Sequence, residues 1–229
     1  MNLVSSQTNS LNGEVVCPGD KSISQRILIL GSLLNCNTSI KGFLDAYDPN
    51  STLNALNLIG SSIVKTRTRI ILNKRTQPFK MPDKDLDLGN SGTGMRLMLG
   101  LLSGLGIRAT LTGDSSLSKR PMLRVIKPLM DMGANIKSND GKAPIKIIES
   151  NISNDFKYDM PIASAQVKSS LLLASLSSNK SITITEPKIT RNHTERMIEY
   201  FGGDIQYGDK TRKGFIRRLK QNINHFQKY

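Results

Sequence analysis

Apolar residues recur at helical spacing in six stretches of this chain, and each stretch follows an opening rich in Ser, Gly, Asp or Pro. Four stretches close on a glycine, the residue that most readily adopts the left-handed conformation after a helix. The pattern predicts helices at Lys21–Leu34, Pro49–Ile59, Ser91–Leu105, Pro121–Met132, Ser164–Leu176 and Thr194–Phe201, with closing glycines Gly60, Gly106, Gly133 and Gly202.

Short runs rich in β-branched residues lie between these stretches and predict strands. They are Glu14–Cys17, Ser39–Lys41, Arg69–Leu72, Asp85–Asp87, Ala109–Thr112, Ile145–Ile148, Ser181–Thr185 and Asp204–Tyr207. Helices and strands alternate throughout, which favours a repeated α/β unit, although no residue motif recurs at a fixed period. The predicted fold class is mixed α/β.

Composition narrows the class of protein. The chain has 229 residues, of which 38% are hydrophobic, so it is long enough for a sizeable core. Its net charge of +14 suggests nucleic acid as a partner. However, residues 210–229 contain seven Lys or Arg and no acidic residue, so half of the net charge lies in the tail. With 5% aromatic residues and no nucleic-acid motif, a solvated tail is the simpler interpretation.

Compartment and metal content are also indicated by the sequence. Cys17 and Cys36 show no CxxC spacing and the N-terminus has no signal-peptide pattern, so a reduced cytoplasm is expected. The most apolar stretch, Met95–Leu105, is too short to cross a membrane. Neither histidine has Cys or carboxylate neighbours at ligand spacing, so we expect no protein-bound zinc.

The first helix entrance offers chemistry for a polyanion. Gly19–Arg26 places Lys21 and Arg26 with Ser22 and Ser24 at a helix N-terminus, where unpaired backbone N–H groups and the helix dipole favour a phosphate. An ordinary capped helix with solvated charges explains this entrance equally well when it is taken alone.

Four further entrances repeat the theme. The loop Leu88–Arg96 carries three glycines that leave backbone N–H groups uncovered, and Pro121 at the first position of the next helix would place Arg120 at its entrance. Neutral donors open the helix at Ser164, and a cationic, hydroxyl-rich segment surrounds Arg191. Each has a plain structural alternative, such as a glycine turn, a surface Arg or a Ser cap. Five such entrances together favour a site for anionic ligands.

These motifs closely resemble the 5-enolpyruvylshikimate-3-phosphate (EPSP) synthases over Gly13–Gly203. The carrying segments are Pro18–Arg26, with Gln25 where the family has His or Asn, Leu88–Arg96, and those at Asp114, Ser164 and Arg191. The resemblance implies transfer of the enolpyruvyl group from phosphoenolpyruvate to the 5-hydroxyl of shikimate 3-phosphate, without metal or organic cofactor. It implies that Lys21 is catalytic and contacts both substrates. The implied shikimate 3-phosphate site consists of Lys21, Ser22, Arg26, Ser164, Ala165, Gln166 and Arg191. The implied phosphoenolpyruvate site consists of Lys21, Gly92, Arg120 and Gln166.

The family fold implied by the resemblance has two domains, each built from three α/β units. Only the first is expected here, at residues 19–208. Residues 1–18 would form a strand segment belonging to the absent second domain, with an exposed edge, and residues 209–229 an aberrant or disordered basic tail. A separate chain could supply the second domain, which in the family carries most acid–base groups. The alternatives are a binding-only remnant and the related UDP-N-acetylglucosamine enolpyruvyl transferases, whose Lys-Asn pair is here Lys21-Ser22.

Overall fold

Helices and strands alternate along the chain in a computed structural model that describes residues 3–10, 12–34 and 36–206 and the backbone of 216–217. The helices are α1 (Lys21–Leu33), α2 (Tyr47–Leu58), α3 (Gly92–Leu105), α4 (Leu123–Asp131), α5 (Ala165–Ser178) and α6 (His193–Tyr200). The strands are β1 (Thr38–Lys41), β2 (Ser62–Lys65), β3 (Arg69–Asn73), β4 (Leu86–Asp87), β5 (Ala109–Thr112), β6 (Ala134–Asn139), β7 (Lys142–Ser150), β8 (Phe156–Asp159), β9 (Ile182–Thr185), β10 (Asp204–Ile205) and β11 (Ile216–Arg217). The predicted mixed α/β class is confirmed.

The elements form three units of one design. The second unit has the order β4-α3-β5-α4-β6-β7, and its sheet has the spatial order β4-β5-β7-β6, with β4 parallel to β5 and the other pairs antiparallel. The first sheet, β1-β3-β2, repeats the last three positions of that sheet. The third unit repeats the parallel first pair, as β8 and β9. A repeat absent from the residue pattern is therefore present in the fold.

Helices α3 and α5 pack closely against each other. A Cβ atom at Gly100 would lie 2.0 Å from the backbone oxygen of Ser170, so only glycine permits this approach. The Ser170 hydroxyl donates to the backbone oxygen of Arg96 at 2.8 Å, and the Ser177 hydroxyl donates to that of Leu101 at 3.2 Å. These contacts fix the register of the two helices and thereby set the first turn of α3 beside that of α5.

Most predicted boundaries fall within two or three residues of the observed ones. All four closing glycines have positive φ, from 67° at Gly106 to 112° at Gly133, as a left-handed helix end requires. Strands β2, β6, β8 and β11 were not predicted from the sequence. In β2, β6 and β8 the apolar positions alternate with polar residues over only four to six residues.

Two predictions about local structure are wrong. The segment Glu14–Cys17 is not a strand: it is irregular, and Val15 and Val16 are 87% and 95% exposed. A strand requires a hydrogen-bonded neighbour, and none pairs with this segment among the described residues. Pro121 is not the first residue of a helix, because α4 begins at Leu123 and Arg120 instead ends a short 3₁₀ turn, Leu117–Lys119.

The predictions of a domain at 19–208 and of a basic tail at 209–229 remain predictions, and the tail lies outside the described residues apart from the backbone of β11. Within the described part of the chain, no helix combines the length and apolar character needed to cross a bilayer.

Candidate active site

The entrance of α1 is fixed by a cap and by a close backbone approach. The Asp20 carboxylate accepts from the backbone N–H of Ile23 at 2.7 Å, as expected of an N-cap. A Cβ atom at Gly19 would lie 1.9 Å from the backbone oxygen of Gly42, so this position requires glycine. Lys21 follows the cap, and its ammonium lies 3.0 Å from the carboxylate of Asp48. With 56% of its side chain exposed, Lys21 remains accessible to a ligand.

Arg26 is a buried cation that joins three helices. Its Nε donates to the Thr194 hydroxyl of α6 at 2.8 Å, and its Nη2 donates to the Ser169 hydroxyl of α5 at 3.1 Å. Its Nη1 donates to the Ser22 hydroxyl at 2.7 Å. Burial, and then the charge of Arg191, lower the pKa of Arg26 to about 10, against a smaller raising effect of Glu195. Arg26 therefore stays charged at neutral pH.

The glycine loop leads into α3 and meets two guanidinium groups. Ser91 caps the helix by accepting from the Gly94 N–H at 3.0 Å. A Cβ atom at Gly92 would lie 3.1 Å from Nη1 of Arg96 and 3.2 Å from Nη1 of Arg120. The space above Gly92 is thus a small opening bordered by two cations.

Arg96 connects this loop to α5. Its Nη1 donates to Oε1 of Gln166 at 2.8 Å, and Nε2 of Gln166 donates to the Thr93 hydroxyl at 2.9 Å. Burial lowers the pKa of Arg96, with further contributions from the nearby Arg124 and Arg120. Arg96 and Arg120 therefore both lie beside the first turn of α3, and Arg96 joins that turn to the first turn of α5.

Arg120 is held by a relay of polar groups. Its guanidinium donates to the side-chain oxygen of Asn90, and the amide of Asn90 donates to Asp114 at 2.7 Å. The pKa of Asp114 is lowered by the backbone N–H of Leu117 and then by Asn90, which favours its ionised form. The motif at Asp114 thus contributes by orienting Asn90, which in turn orients Arg120.

Gln25 lies at the junction of α1, α2 and α3. Its buried amide nitrogen contacts the hydroxyls of Thr52, at 3.1 Å, and of Ser91, and the backbone oxygen of Asp48, at 3.2 Å. Because Ser91 caps α3 and Asp48 pairs with Lys21, Gln25 connects the entrance of α3 with the entrance of α1.

The structure places the remaining predicted residues as follows. Ser164 caps α5, and its hydroxyl accepts from the backbone N–H of Val167 at 3.4 Å. Ala165 is buried and presents its backbone oxygen to the Ser169 hydroxyl at 2.6 Å. Arg191 is exposed in the turn before α6, close enough to Arg26 for their charges to interact.

The fold brings the predicted site residues together in two groups, whose members contact each other directly or through one shared residue. Ser22 and Arg26 form the first group with α5 and α6, and Gly92, Arg120 and Gln166 form the second around Arg96. Lys21 is paired with Asp48 instead. Ligand roles for all these residues remain predictions. Sequence reasoning assigned no role to several supporting residues, because most of their partners lie far away along the chain. They are Asn90, Thr93, Lys168, Ser169, Glu186, Thr194 and Glu195.

Known proteins match this chain over almost its whole length. Residues 5–221 match the family model described as EPSP synthase (3-phosphoshikimate 1-carboxyvinyltransferase). A 3-phosphoshikimate 1-carboxyvinyltransferase of Petrotoga mobilis is 45% identical over 220 residues, covering 94% of this chain and 50% of that protein. One from Legionella pneumophila strain Lens is 44% identical over 229 residues, covering 97% and 53%.

A solved structure supports the same relationship. The EPSP synthase of Acinetobacter baumannii matches with a TM-score of 0.83 at 39% sequence identity, covering 91% of this chain and 47% of that one. The chain therefore spans about half the length of the relatives that it matches.

Proposed function

The chain belongs to the EPSP synthase family, and from this premise we propose that it forms the shikimate 3-phosphate-binding half of an enolpyruvyl transferase. The reaction moves the enolpyruvyl group of phosphoenolpyruvate to the 5-hydroxyl of shikimate 3-phosphate and releases inorganic phosphate. Both substrates are small anions, which suits a site lined by Lys21, Arg26, Arg96 and Arg120.

The contact between Arg96 and Gln166 carries the proposal. It joins α5, where Ser164, Ala165 and Gln166 are proposed to meet the shikimate ring and phosphate, to the loop where Gly92 is proposed to meet phosphoenolpyruvate. A transfer between two substrates requires that they be held side by side, and this contact supports two adjacent half-sites.

The proposed roles follow from charge and hydrogen-bonding capacity. Ser22, Arg26 and Arg191 hold the phosphate of shikimate 3-phosphate, and the Arg120 fork suits the carboxylate or phosphate of phosphoenolpyruvate. Lys21, at the exposed entrance of α1, contacts both substrates. The roles require no metal or organic cofactor.

The chemistry needs an acid to protonate the enol carbon and a base near the 5-hydroxyl. The resemblance places most of these groups in the other half of the family's fold. We therefore propose that this chain binds shikimate 3-phosphate by itself and that turnover requires the complementary half, from a separate chain or a continuation of this one. The cytoplasm, expected from the unpaired cysteines, remains the proposed compartment.

The test combines calorimetry with phosphate release. Shikimate 3-phosphate is titrated into the wild-type chain and into Lys21→Met, where loss of a charge-assisted hydrogen bond is expected to weaken binding by about 10- to 100-fold. Lys137→Met is the control, because Lys137 is an exposed lysine on β6 in the second unit. Phosphate release is then measured with and without the complementary half of the Acinetobacter baumannii enzyme.

Three outcomes are informative. Binding that depends on Lys21, with turnover only after complementation, supports the proposal. Turnover by the chain alone would show that it carries its own acid and base. Equal affinities of wild type and Lys21→Met for shikimate 3-phosphate would refute the proposed site.

A further inference from the structure

Three buried charged side chains lie next to the residues that bind Arg26. Lys168 of α5 places its ammonium 2.7 Å from Oε2 of Glu186 and 2.5 Å from Oε1 of Glu195. The three residues are 4%, 8% and 4% exposed. Such isolation from water is rare for Lys and Glu, because the loss of hydration costs more than an exposed ion pair returns. We call these three residues the buried charge cluster.

The buried charge cluster is one residue away from the contacts of Arg26 on both helices. Lys168 precedes Ser169, and Glu195 follows Thr194. Ser169 and Thr194 carry the two hydroxyls of α5 and α6 that accept from Arg26. These hydroxyls also contact each other at 2.7 Å. The ion pair of Lys168 with Glu195 thus joins α5 to α6 at the residues adjacent to the two hydroxyls that bind the guanidinium.

Glu186 extends the cluster to the segment that carries Arg191. It follows β9, and its second oxygen accepts from the hydroxyl of Thr190. Both arginines proposed to face the phosphate are therefore linked through the cluster.

The charge of Arg26 offsets the net charge of the buried charge cluster. The buried charge cluster alone has one ammonium and two carboxylates, a net charge of −1, and Arg26 brings the total to zero. Among the described residues, Oε2 of Glu195 has no hydrogen-bond partner. The carboxylate charge of Glu195 is therefore only partly compensated inside the cluster. It acts on Arg26, more weakly than the exposed charge of Arg191 does.

We propose that the buried charge cluster is a positioning and charge-setting device for Arg26, with Lys168 and Glu195 determining how strongly Arg26 attracts the substrate phosphate. The proposal rests on the proposed function for the identity of the ligand. Lys168 keeps the two hydroxyls in place, and Glu195 reduces the positive potential that reaches the phosphate.

This device predicts affinity changes of opposite sign. Glu195→Gln removes a negative charge but keeps an oxygen acceptor for Lys168, so binding of shikimate 3-phosphate is expected to tighten by about tenfold, the order expected for one unit charge at several ångströms in a protein interior. Lys168→Met adds a net negative charge and loses the ion pair, so binding is expected to weaken by about tenfold or more.

The calorimetric test compares these variants with Glu199→Gln, which removes an exposed carboxylate from the same helix. Inorganic phosphate and shikimate 3-phosphate are titrated into each protein. Tighter binding in Glu195→Gln and unchanged binding in Glu199→Gln support the proposal. Unchanged or weaker binding in Glu195→Gln overturns it, because a purely structural contact could only be lost by the change.

A second measurement needs no ligand. Exchange of the Arg26 Nε proton with water, followed by NMR, reports its hydrogen bond to Thr194 in the free protein. We expect this exchange to be at least about tenfold faster in Lys168→Met, which lacks the ion pair. If Lys168→Met does not fold, the double variant Lys168→Met/Glu195→Gln replaces it, because that variant loses one positive and one negative charge and keeps the net charge. Equal exchange rates overturn the positioning role. Failure of the wild type to prefer shikimate 3-phosphate over inorganic phosphate would refute the proposed function, while the exchange rates still decide this inference.

Discussion

Gly100→Ala tests whether the close approach of α3 and α5 determines both stability and the geometry of the site. The added Cβ atom would lie 2.0 Å from the backbone oxygen of Ser170 and 2.7 Å from its hydroxyl. Favourable contact between non-bonded heavy atoms begins near about 3.5 Å, so the helices must separate locally by roughly 1 Å or more. Backbone cannot rotate away from the new methyl group as a long side chain can.

The expected cost can be worked from three contributions. Overpacking of a well-packed core costs about 1–3 kcal/mol. Loss of the hydrogen bond from Ser170 to the backbone oxygen of Arg96 adds about 1 kcal/mol. The better helix propensity of Ala returns about 1 kcal/mol. The free energy of unfolding is therefore expected to fall by about 1–3 kcal/mol.

The matched control is Gly31→Ala in α1. There the nearest atom to the new methyl group is Cδ2 of Leu72, at 2.9 Å, which is the end of a flexible side chain. The change in unfolding free energy is expected to stay within about 1 kcal/mol, because propensity and minor repacking oppose each other.

Urea unfolding followed by circular dichroism is the assay, since the chain has no tryptophan for fluorescence. Weaker binding of shikimate 3-phosphate by Gly100→Ala should accompany the loss of stability, because Arg96 and Gln166 lie one turn away on the same two helices. If Gly100→Ala is as stable as Gly31→Ala, the close approach of α3 and α5 does not determine the stability of the fold.

Three further changes have expected outcomes. Gly92→Ala should displace the guanidinium of Arg120 by a few tenths of an ångström and weaken phosphoenolpyruvate binding in the complemented enzyme, measured as a raised KM with little change in stability. His193→Asn should flatten the pH dependence of stability. Burial and then the charge of Arg26 lower the pKa of His193 in the folded protein below 6.5. The unfolded chain therefore binds the proton first, and the stability of the wild type falls as the pH drops below 6.5. Asp48→Asn should change the unfolding free energy by less than about 1 kcal/mol, because its ion pair with Lys21 is partly exposed.

Each of these has an outcome that contradicts it. An unchanged KM in Gly92→Ala would show that the opening above the loop is not used by phosphoenolpyruvate. Equal slopes of stability against pH between pH 5 and 6.5 for wild type and His193→Asn, measured by urea unfolding, would assign that titration to other groups. A loss of several kcal/mol in Asp48→Asn would give this ion pair a structural importance that its exposure does not indicate.

Much of the fold was available from local pattern. The predicted helices are observed, and the glycines that end four of them have positive φ, because the conformation after a helix is a property of a single residue. The strand predicted at Glu14–Cys17 failed for the opposite reason. Its apolar residues satisfy the local pattern, but a strand exists only with a neighbour, which a pattern cannot supply.

The sequence by itself determined the helix entrances, their cations and hydroxyls, and the resemblance to EPSP synthases, since each depends on a few adjacent residues. Only the tertiary structure decided that Arg26 reaches Ser169 and Thr194, which lie more than 140 residues further along the chain, and that Lys168 is enclosed by two carboxylates. Arg120 shows the difference most clearly: its position at a helix entrance was predicted wrongly, yet it still lies beside Gly92. The reason is physical, because a motif specifies which groups are present, whereas packing of the helices specifies which of those groups meet.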